Sequence, residues 1–495
     1  VIYLGVDCGT QGTKTIALDA DSGRVIAVAS QPCEIIPNLP PGHLEQHPAS
    51  WREAMLESMR RVIESLGERR RDVRGVGVSG QQHGFVPLDR SGNVIRPAKL
   101  WCDTSTVTEC EVIRTHFGGS RAVIEQVGMD MLPGFTAPKI LWMKRNEPEN
   151  FRRLAHVLLP HDYLNYCLTG RICMEYGDAS GTALMDVVKR TWNREMLEFV
   201  DEGLPDRMPP LFSSRLPVGP LLPAVSRQLN LPVDVIVSAG GGDNMMGAIG
   251  TGNISSGRVT LSLGTSGTIY AYSEKALVDP LGEVAGFCDS TDAWLPLVCT
   301  MNVTVATEAT RHLFGWSHDQ MDEAILSVPP GANGLLFLPY LQGERTPNLP
   351  HATGSFHGLT TRNMSPGHFA RATMEGVTLG LAYGLNRLRS LGLEPAEIRL
   401  TGGGSKSPVW RRLCADIFRC RVVTLMESEG AALGAALQAL SIVETSHSIN
   451  EWSDRMVRVD TAQILEPAAN GYDYTEVIEK QASLASRLNE TGILA

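Results

Sequence analysis

Short apolar runs that end in glycine- and threonine-rich turns recur along this chain. Residues 1–6 are apolar almost without a break and end on Asp7. The turn Cys8-Gly9-Thr10-Gln11-Gly12-Thr13-Lys14 leads into Thr15-Ile16-Ala17-Leu18-Asp19. This pattern predicts a hairpin of two strands, a further turn at Asp21-Ser22-Gly23, and a third strand over residues 24–29. Residues 51–66 have the spacing of an amphipathic helix, and residues 73–78 predict a strand entering Ser79-Gly80-Gln81-Gln82-His83-Gly84. Val233, Val235, Ile236 and Val237 predict another buried strand. It runs through Ser238-Ala239-Gly240-Gly241-Gly242-Asp243-Asn244 to a helix start near Met245. In the second half, residues 334–340 predict a buried strand, 369–391 a long helix and 398–401 a strand. That last strand enters Gly402-Gly403-Gly404-Ser405-Lys406-Ser407, and a helix follows over 408–419. A small-residue helix opens at Glu429, and residues 474–488 predict a peripheral amphipathic helix. Residues 145–228 mix short helices with loops and carry little chemical signal.

The first hairpin returns at mid-chain. Cys8-Gly9-Thr10-Gln11-Gly12-Thr13 aligns without a gap on Leu263-Gly264-Thr265-Ser266-Gly267-Thr268, again between two predicted strands. Duplication of a whole domain is the economical explanation. A lone glycine-threonine turn reads as a plain hairpin turn sooner than as a phosphate cradle. Two of them facing each other across a cleft would supply donors to a polyphosphate from both sides. Neither is a Walker A loop, because the Gly-Lys-Ser/Thr ending and the following helix are missing.

Three glycines before Asp243 let backbone approach a ligand closely and present the carboxylate at the mouth of a cleft. The alternative is an aspartate that caps the next helix. Gln82 and His83 stand in a glycine frame at a strand's carboxyl end, where open α/β sheets bind ligands, and suit hydroxyl recognition. Leu100-Trp101-Cys102-Asp103 sets an aromatic face beside a carboxylate, a pairing that fits carbohydrate or a buried tryptophan with a capping aspartate. The adjacent Glu344-Arg345 reads as structural, tying down a loop by an ion pair.

Composition narrows the classes. The chain has 495 residues, 43% hydrophobic and 20% charged, enough for two to four folding units. A net charge of −10 opposes nucleic acid or an anionic membrane as partner. Ten scattered cysteines, with no Cys-x-x-Cys pair, point to free thiols rather than zinc ligands or disulfides. With no leader pattern and no apolar run of membrane length, a cytoplasmic protein is expected.

In order along the chain stand Asp7-Cys8-Gly9-Thr10, Gly80-Gln81-Gln82-His83-Gly84 and Leu132-Pro133-Gly134-Phe135-Thr136-Ala137-Pro138-Lys139. They are followed by Gly240-Gly241-Gly242-Asp243-Asn244, Leu261 to Gly267, Phe337-Leu338-Pro339-Tyr340 with Gly343-Glu344-Arg345-Thr346-Pro347, and Gly402-Gly403-Gly404. In these motifs the chain resembles the FGGY carbohydrate kinases. The resemblance implies an α/β fold of two ribonuclease-H-like (actin-like ATPase) domains, residues 1–244 and 245–495, with the active site in the interdomain cleft. It implies Asp243 as catalytic base, with Asp7 and Asp243 at a Mg2+ ion. Gln82, His83, Trp101, Phe135, Asp243 and Asn244 fall at the sugar. Gly9, Thr10, Gln11, Thr13, Gly264, Thr265, Gly402, Gly403, Gly404 and Ser405 fall at ATP. The implied reaction is ATP-dependent phosphorylation of D-xylulose, and a homodimer follows by analogy only.

Two departures bear on the substrate. Bacterial members of the family that phosphorylate D-xylulose read Gln-Met-His-Gly and Trp-Asn-Asp, where this chain has Gln82 and Cys102. D-Ribulose, L-ribulose or a polyol therefore stays open. The Arg-Glu pair that glycerol kinases carry at the sugar motif is absent. An actin-fold ATPase without a sugar substrate is the competing class, and a catalytically dead sugar sensor is a third reading, opposed by Asp7, Asp243 and both turns.

Overall fold

A computed structural model describes residues 1–427 and 430–494, which divide into two compact units. Residues 1–255, 272–295 and 430–457 form the first; residues 256–271, 296–427 and 458–494 form the second. Where the sequence puts a division at 244/245, the units interleave.

The first unit is built on one sheet. β1 (Ile2–Cys8), β2 (Gly12–Asp19) and β3 (Arg24–Pro32) form an antiparallel meander. β4 (Val73–Gly80) runs parallel to β1 on its other side. Beyond it lie β5 (Pro217–Pro220) and β6 (Ile236–Ser238), giving the order β5-β6-β4-β1-β2-β3, and the short β7 (Gly241–Gly242) also pairs with β4. β1 is covered on both faces, which is why its sequence is an unbroken apolar run. β3, at the edge, alternates exposed and half-buried positions, with Ala29 buried. Helix α1 (Pro48–Leu66) buries Trp51, Met55, Met59 and Val62 along one face against β2 and β3.

Four further helices bear on the site: α2 (Thr136–Asn146), α3 (Pro160–Thr169), the short α4 (Tyr176–Ser180) and α5 (Asp243–Gly250). The small-residue helix runs Gly430–Val443; Glu429, its expected first residue, lies outside the described residues. This helix packs on β1, β4 and α5 within the first unit. Its glycines and alanines allow backbone-to-backbone approach. A Cβ on Gly434 would lie 1.8 Å from the Met246 carbonyl oxygen, and one on Gly5 would lie 1.9 Å from that of Ala432.

The second unit repeats the plan. β8 (Arg258–Leu263) and β9 (Gly267–Ala271) form the returning hairpin, β9 pairs with β10 (Trp294–Thr300), and β11 (Glu397–Thr401) lies parallel to β8 with β12 (Arg421–Val423) outside it. In both sheets a central strand has an antiparallel hairpin partner on one side and two parallel strands on the other. The turns differ by one residue, since Cys8 faces Thr13 whereas Leu263 faces Gly267. The long helix runs Pro366–Ser390 and the tail helix Thr475–Glu490. The strand expected over 334–340 is confined to Leu336–Leu338. Glu344 does tie its loop down, but through amide donors: its carboxylate accepts from Met301 N at 2.6 Å, Arg345 N at 2.8 Å and Asn302 Nδ2 at 3.2 Å. Among the described residues no helix is long and apolar enough to cross a membrane, and all ten cysteines are free.

The Gly434 contact makes a test of this packing. Alanine in a helix interior gains up to about 1 kcal/mol over glycine. A methyl group pressed into the Met246 carbonyl costs roughly 1–3 kcal/mol or more. Gly434→Ala should therefore lower the thermal unfolding midpoint by several degrees, read by differential scanning calorimetry. An unchanged or raised midpoint would refute the close approach.

Candidate active site

The carboxyl end of β4 gathers the acidic residues. Asp7 on β1 lies in register with Ser79, and Gly241 pairs with the same serine from β7. Ser79 Oγ donates to Asp7 Oδ1 at 2.8 Å. The loop between β6 and α5 is pinned at Gly240, whose φ of 72° favours glycine and whose Cβ would come 2.4 Å from the Val78 carbonyl oxygen. Gln438, buried on the Gly430–Val443 helix, accepts from Gly240 N at 2.7 Å and donates to Gly240 O at 3.1 Å. Asn165 donates to Ala239 O at 2.8 Å.

Asp243 is the first residue of α5, and Gly242 holds the cap position, so the capping alternative falls away. Its Oδ1 accepts from Asn244 N at 2.8 Å and Asn244 Nδ2 at 3.1 Å. Burial, reinforced by the negative charges of Asp7 and Asp178, pushes its carboxyl up to about 7. Two neighbouring carboxylates at a strand end fit a hard divalent cation that is otherwise held by phosphate and water. Asp7 and Asp243 are the residues that could hold one.

Beside Asp243, Asn244 Nδ2 donates to Gln82 Oε1 at 2.7 Å, and Gln82 Nε2 points at Met245 Sδ, 3.1 Å away. Gln82 thus orients Asn244. His83 adopts φ 61°; its ring meets Phe135 edge-on at 5.0 Å and lies 5.5 Å from Phe287. Cys102 packs against the core of this unit. Trp101 Nε1 donates to Thr10 Oγ1 at 3.0 Å, and that hydroxyl donates on to Gln81 Oε1, also at 3.0 Å. The first turn, closed by Gly9 N to Gly12 O at 3.0 Å, is thereby tied to the tryptophan. Gln11 is exposed. Thr13 is buried, its hydroxyl 3.8 Å from Cys33 Sγ, which directs it into the protein.

In the second unit, the carbonyls of Gly264 and Thr265 accept from Thr304 N and Val303 N at 2.9 and 3.0 Å, and Thr265 is exposed. Gly402 leads into the single turn Gly403–Lys406, and Ser405 Oγ closes it by donating to Gly402 O at 2.7 Å.

The stretch 145–228, read as chemically quiet, supplies a buried acid–base cluster behind the Asp243 loop. His161 on α3 bonds Asp178 Oδ2 through Nδ1 at 2.7 Å, and its Nε2 lies 3.1 Å from Asp162 Oδ1. Glu175 accepts from Gly177 N at 2.7 Å and Ser214 Oγ at 2.5 Å. Burial opposes the charge on His161, but Asp162 and Asp178 outweigh it and hold the imidazolium up to about 9. The short elements here follow no periodic pattern, and the pair His161-Asp162 stands a dozen or more residues from Glu175 and Asp178. Asp103 is structural: it is buried against Lys99 Nζ at 3.2 Å. Among the described residues one group has three clustered metal-type ligands, His43, Glu45 and Asp103. The Lys99 ammonium lies within 3.2 Å of all three and already provides the positive charge.

Comparison with known proteins extends this picture. Residues 2–250 match the N-terminal domain of the FGGY family of carbohydrate kinases, and residues 259–442 match its C-terminal domain. A xylulose kinase from Haemophilus influenzae is 43% identical over 445 residues, 89% of this chain and 90% of that protein. One from Escherichia coli is 37% identical over 457 residues, 91% and 92% of the two chains. A crystal structure of a xyloylose kinase from Brucella ovis superposes with a TM-score of 0.92 at 31% identity, covering 99% of this chain and 100% of that one.

The His161 cluster carries a pH signature. Its imidazole is raised from 6.5 to about 9 by folding, so its stabilising effect is complete below pH 6.5 and is lost as pH rises through 9. Over that window Lys139, lowered by burial to about 7, contributes stability in the opposite sense, so the His161 effect is read as the difference between parent and His161→Asn in urea unfolding from pH 6.5 to 9. His161→Asn should lose roughly 3–5 kcal/mol at pH 6.5 by breaking a buried pair, and the gap to the parent should shrink as pH rises to 9. A variant with the parent's slope would show that another group carries it.

Proposed function

The chain belongs to the FGGY family of carbohydrate kinases, and on that premise we propose that it phosphorylates D-xylulose at O5 with ATP, Asp243 serving as base. The observation that carries the role of Asp243 is its place on the first turn of α5, beside Asp7 and Asn244 and raised to about 7. The family takes ATP as phosphoryl donor together with a divalent metal, for which we assign Mg2+ to Asp7 and Asp243. When bound, the cation offsets the negative charge of the phosphates.

Asn244 and His83 bind the ketose, Trp101 and Phe135 flank it, and Gln82 holds Asn244 in place. Asp243 orients the terminal hydroxyl and accepts its proton as that oxygen attacks the γ-phosphoryl group. Phosphoryl transfer passes through a loose transition state, so the proton leaves late and a carboxylate suffices. The amides of Gly9 to Gln11, and in the second unit Gly264 and Thr265, donate to phosphate, while Gly402 to Ser405 bind the adenosine. Thr10 contributes main chain there, since its hydroxyl serves Trp101 and Gln81. Gln82 and Cys102, the two departures from the motifs of bacterial D-xylulose kinases, engage Asn244 with Met245 and the core respectively. That supports D-xylulose over a redirected specificity. Ten free cysteines support a cytoplasmic setting. A homodimer is proposed by family analogy.

The test is ADP release with MgATP against D-xylulose, D-ribulose, L-ribulose, D-gluconate, glycerol and no sugar. D-Xylulose should give the highest kcat/KM, and Asp243→Ala should lower kcat by about 10²–10⁴-fold while nucleotide affinity stays within about twofold. Preference for another sugar would replace the substrate and leave the base. Hydrolysis indifferent to every sugar would favour an actin-fold ATPase, and full activity of Asp243→Ala would remove the base.

A further inference from the structure

We propose that Lys139 is a positioning residue of the sugar site, a buried staple that holds His83 and the Gly134–Phe135 segment in fixed relation. Lys139 lies on the first turn of α2 and is fully buried. Its Nζ makes two hydrogen bonds, both to main-chain carbonyls: His83 O at 2.8 Å and Gly134 O at 2.6 Å. An ammonium group taken out of water without a carboxylate of its own is expensive, and an apolar side chain would fill the volume at less cost. Asp103, the strongest negative influence on it, is already paired with Lys99, Leu44 N and Ser105. The two carbonyls are what Lys139 is there to join.

Each belongs to a residue that needs holding. His83 sits at φ 61°, in the sparsely populated left-handed region, and its ring direction follows from that backbone. Thr136 Oγ1 donates to the same carbonyl at 3.2 Å, so two donors from one helix turn clamp it. Gly134 precedes Phe135, the ring that meets His83 edge-on. A Cβ on Gly134 would come 2.6 Å from the Trp101 carbonyl oxygen, so the same segment also seats the tryptophan. One nitrogen thus joins the segments that carry three of the side chains assigned to the ketose: His83, Phe135 and Trp101. Burial lowers Lys139 to about 7, and the neutral amine retains two N–H groups, as many as the two carbonyls require.

The inference rests on the reading of His83 as a sugar contact, and the experiment separates the two. Lys139→Met, Thr136→Val and His83→Ala are compared with the parent for KM of D-xylulose, KM of ATP, kcat and thermal midpoint. Lys139→Met should raise the sugar KM at least about tenfold with the ATP KM within about twofold, Thr136→Val should give the same signature about two- to fivefold, and Lys139→Arg should restore part of it. If Lys139→Met fails to fold, the Thr136→Val result decides. Equal shifts in both KM values, or an unchanged sugar KM in folded variants, overturns the staple. If His83→Ala itself leaves the sugar KM unchanged, the sugar-contact reading fails instead.

Discussion

The parallel pairing of β7 with the end of β4 is the constraint on which the candidate site depends. Gly241 and Gly242 lie alongside Ser79 and Gly80, and this short register delivers Asp243 to the strand end that already presents Asp7. Burial first, and then the negative charge of Asp7 beside it, push the Asp243 carboxyl up to about 7. The rest of the unit serves to make this arrangement persist. Gln438 grips the Gly240 peptide from one side and Asn165 takes the preceding carbonyl from another. Gln438 is in reach because small residues let its helix lie against the strands.

Behind the loop, the His161 cluster does similar work with charge. Asp162, Glu175 and Asp178 are all fully or almost fully buried, and a single imidazolium beside them keeps the assembly tolerable. Buried ionic groups of this kind contribute little net stability and much geometric definition. Here they bracket Gly242, whose Cβ position lies 3.1 Å from Asp178 Oδ1. The side proposed to take the sugar is organised by hydrogen bonds made by the residues assigned to it. Gln82 holds Asn244, and Thr10 joins Trp101 to Gln81, so a change at one contact is felt at the next.

Much was legible in the chain. The hairpin, its return at residues 263–268, the glycine-rich approach to Asp243 and the long helix all follow from local pattern. Apolar runs, turn residues and periodicity are properties of neighbours in sequence, and the structure reproduces them within a few residues. Family membership was legible for the same reason, because the motifs are short, contiguous and in order.

Tertiary structure decided the partners. That Thr13 turns inward beside Cys33, that Gln82 addresses Asn244, and that Lys99 fills the His43–Glu45–Asp103 group depend on which strands lie side by side. His161, Asp162, Glu175 and Asp178 come from a stretch with no periodic signal, and only folding sets them behind Asp243. The Gly430–Val443 helix joins the first unit for a similar reason: close packing between small residues rewards contacts far apart in sequence, which no local window registers. The sequence by itself determined which residues could do chemistry. Burial, charge proximity and hydrogen-bond geometry, which exist only once the chain is folded, decided which of them meet.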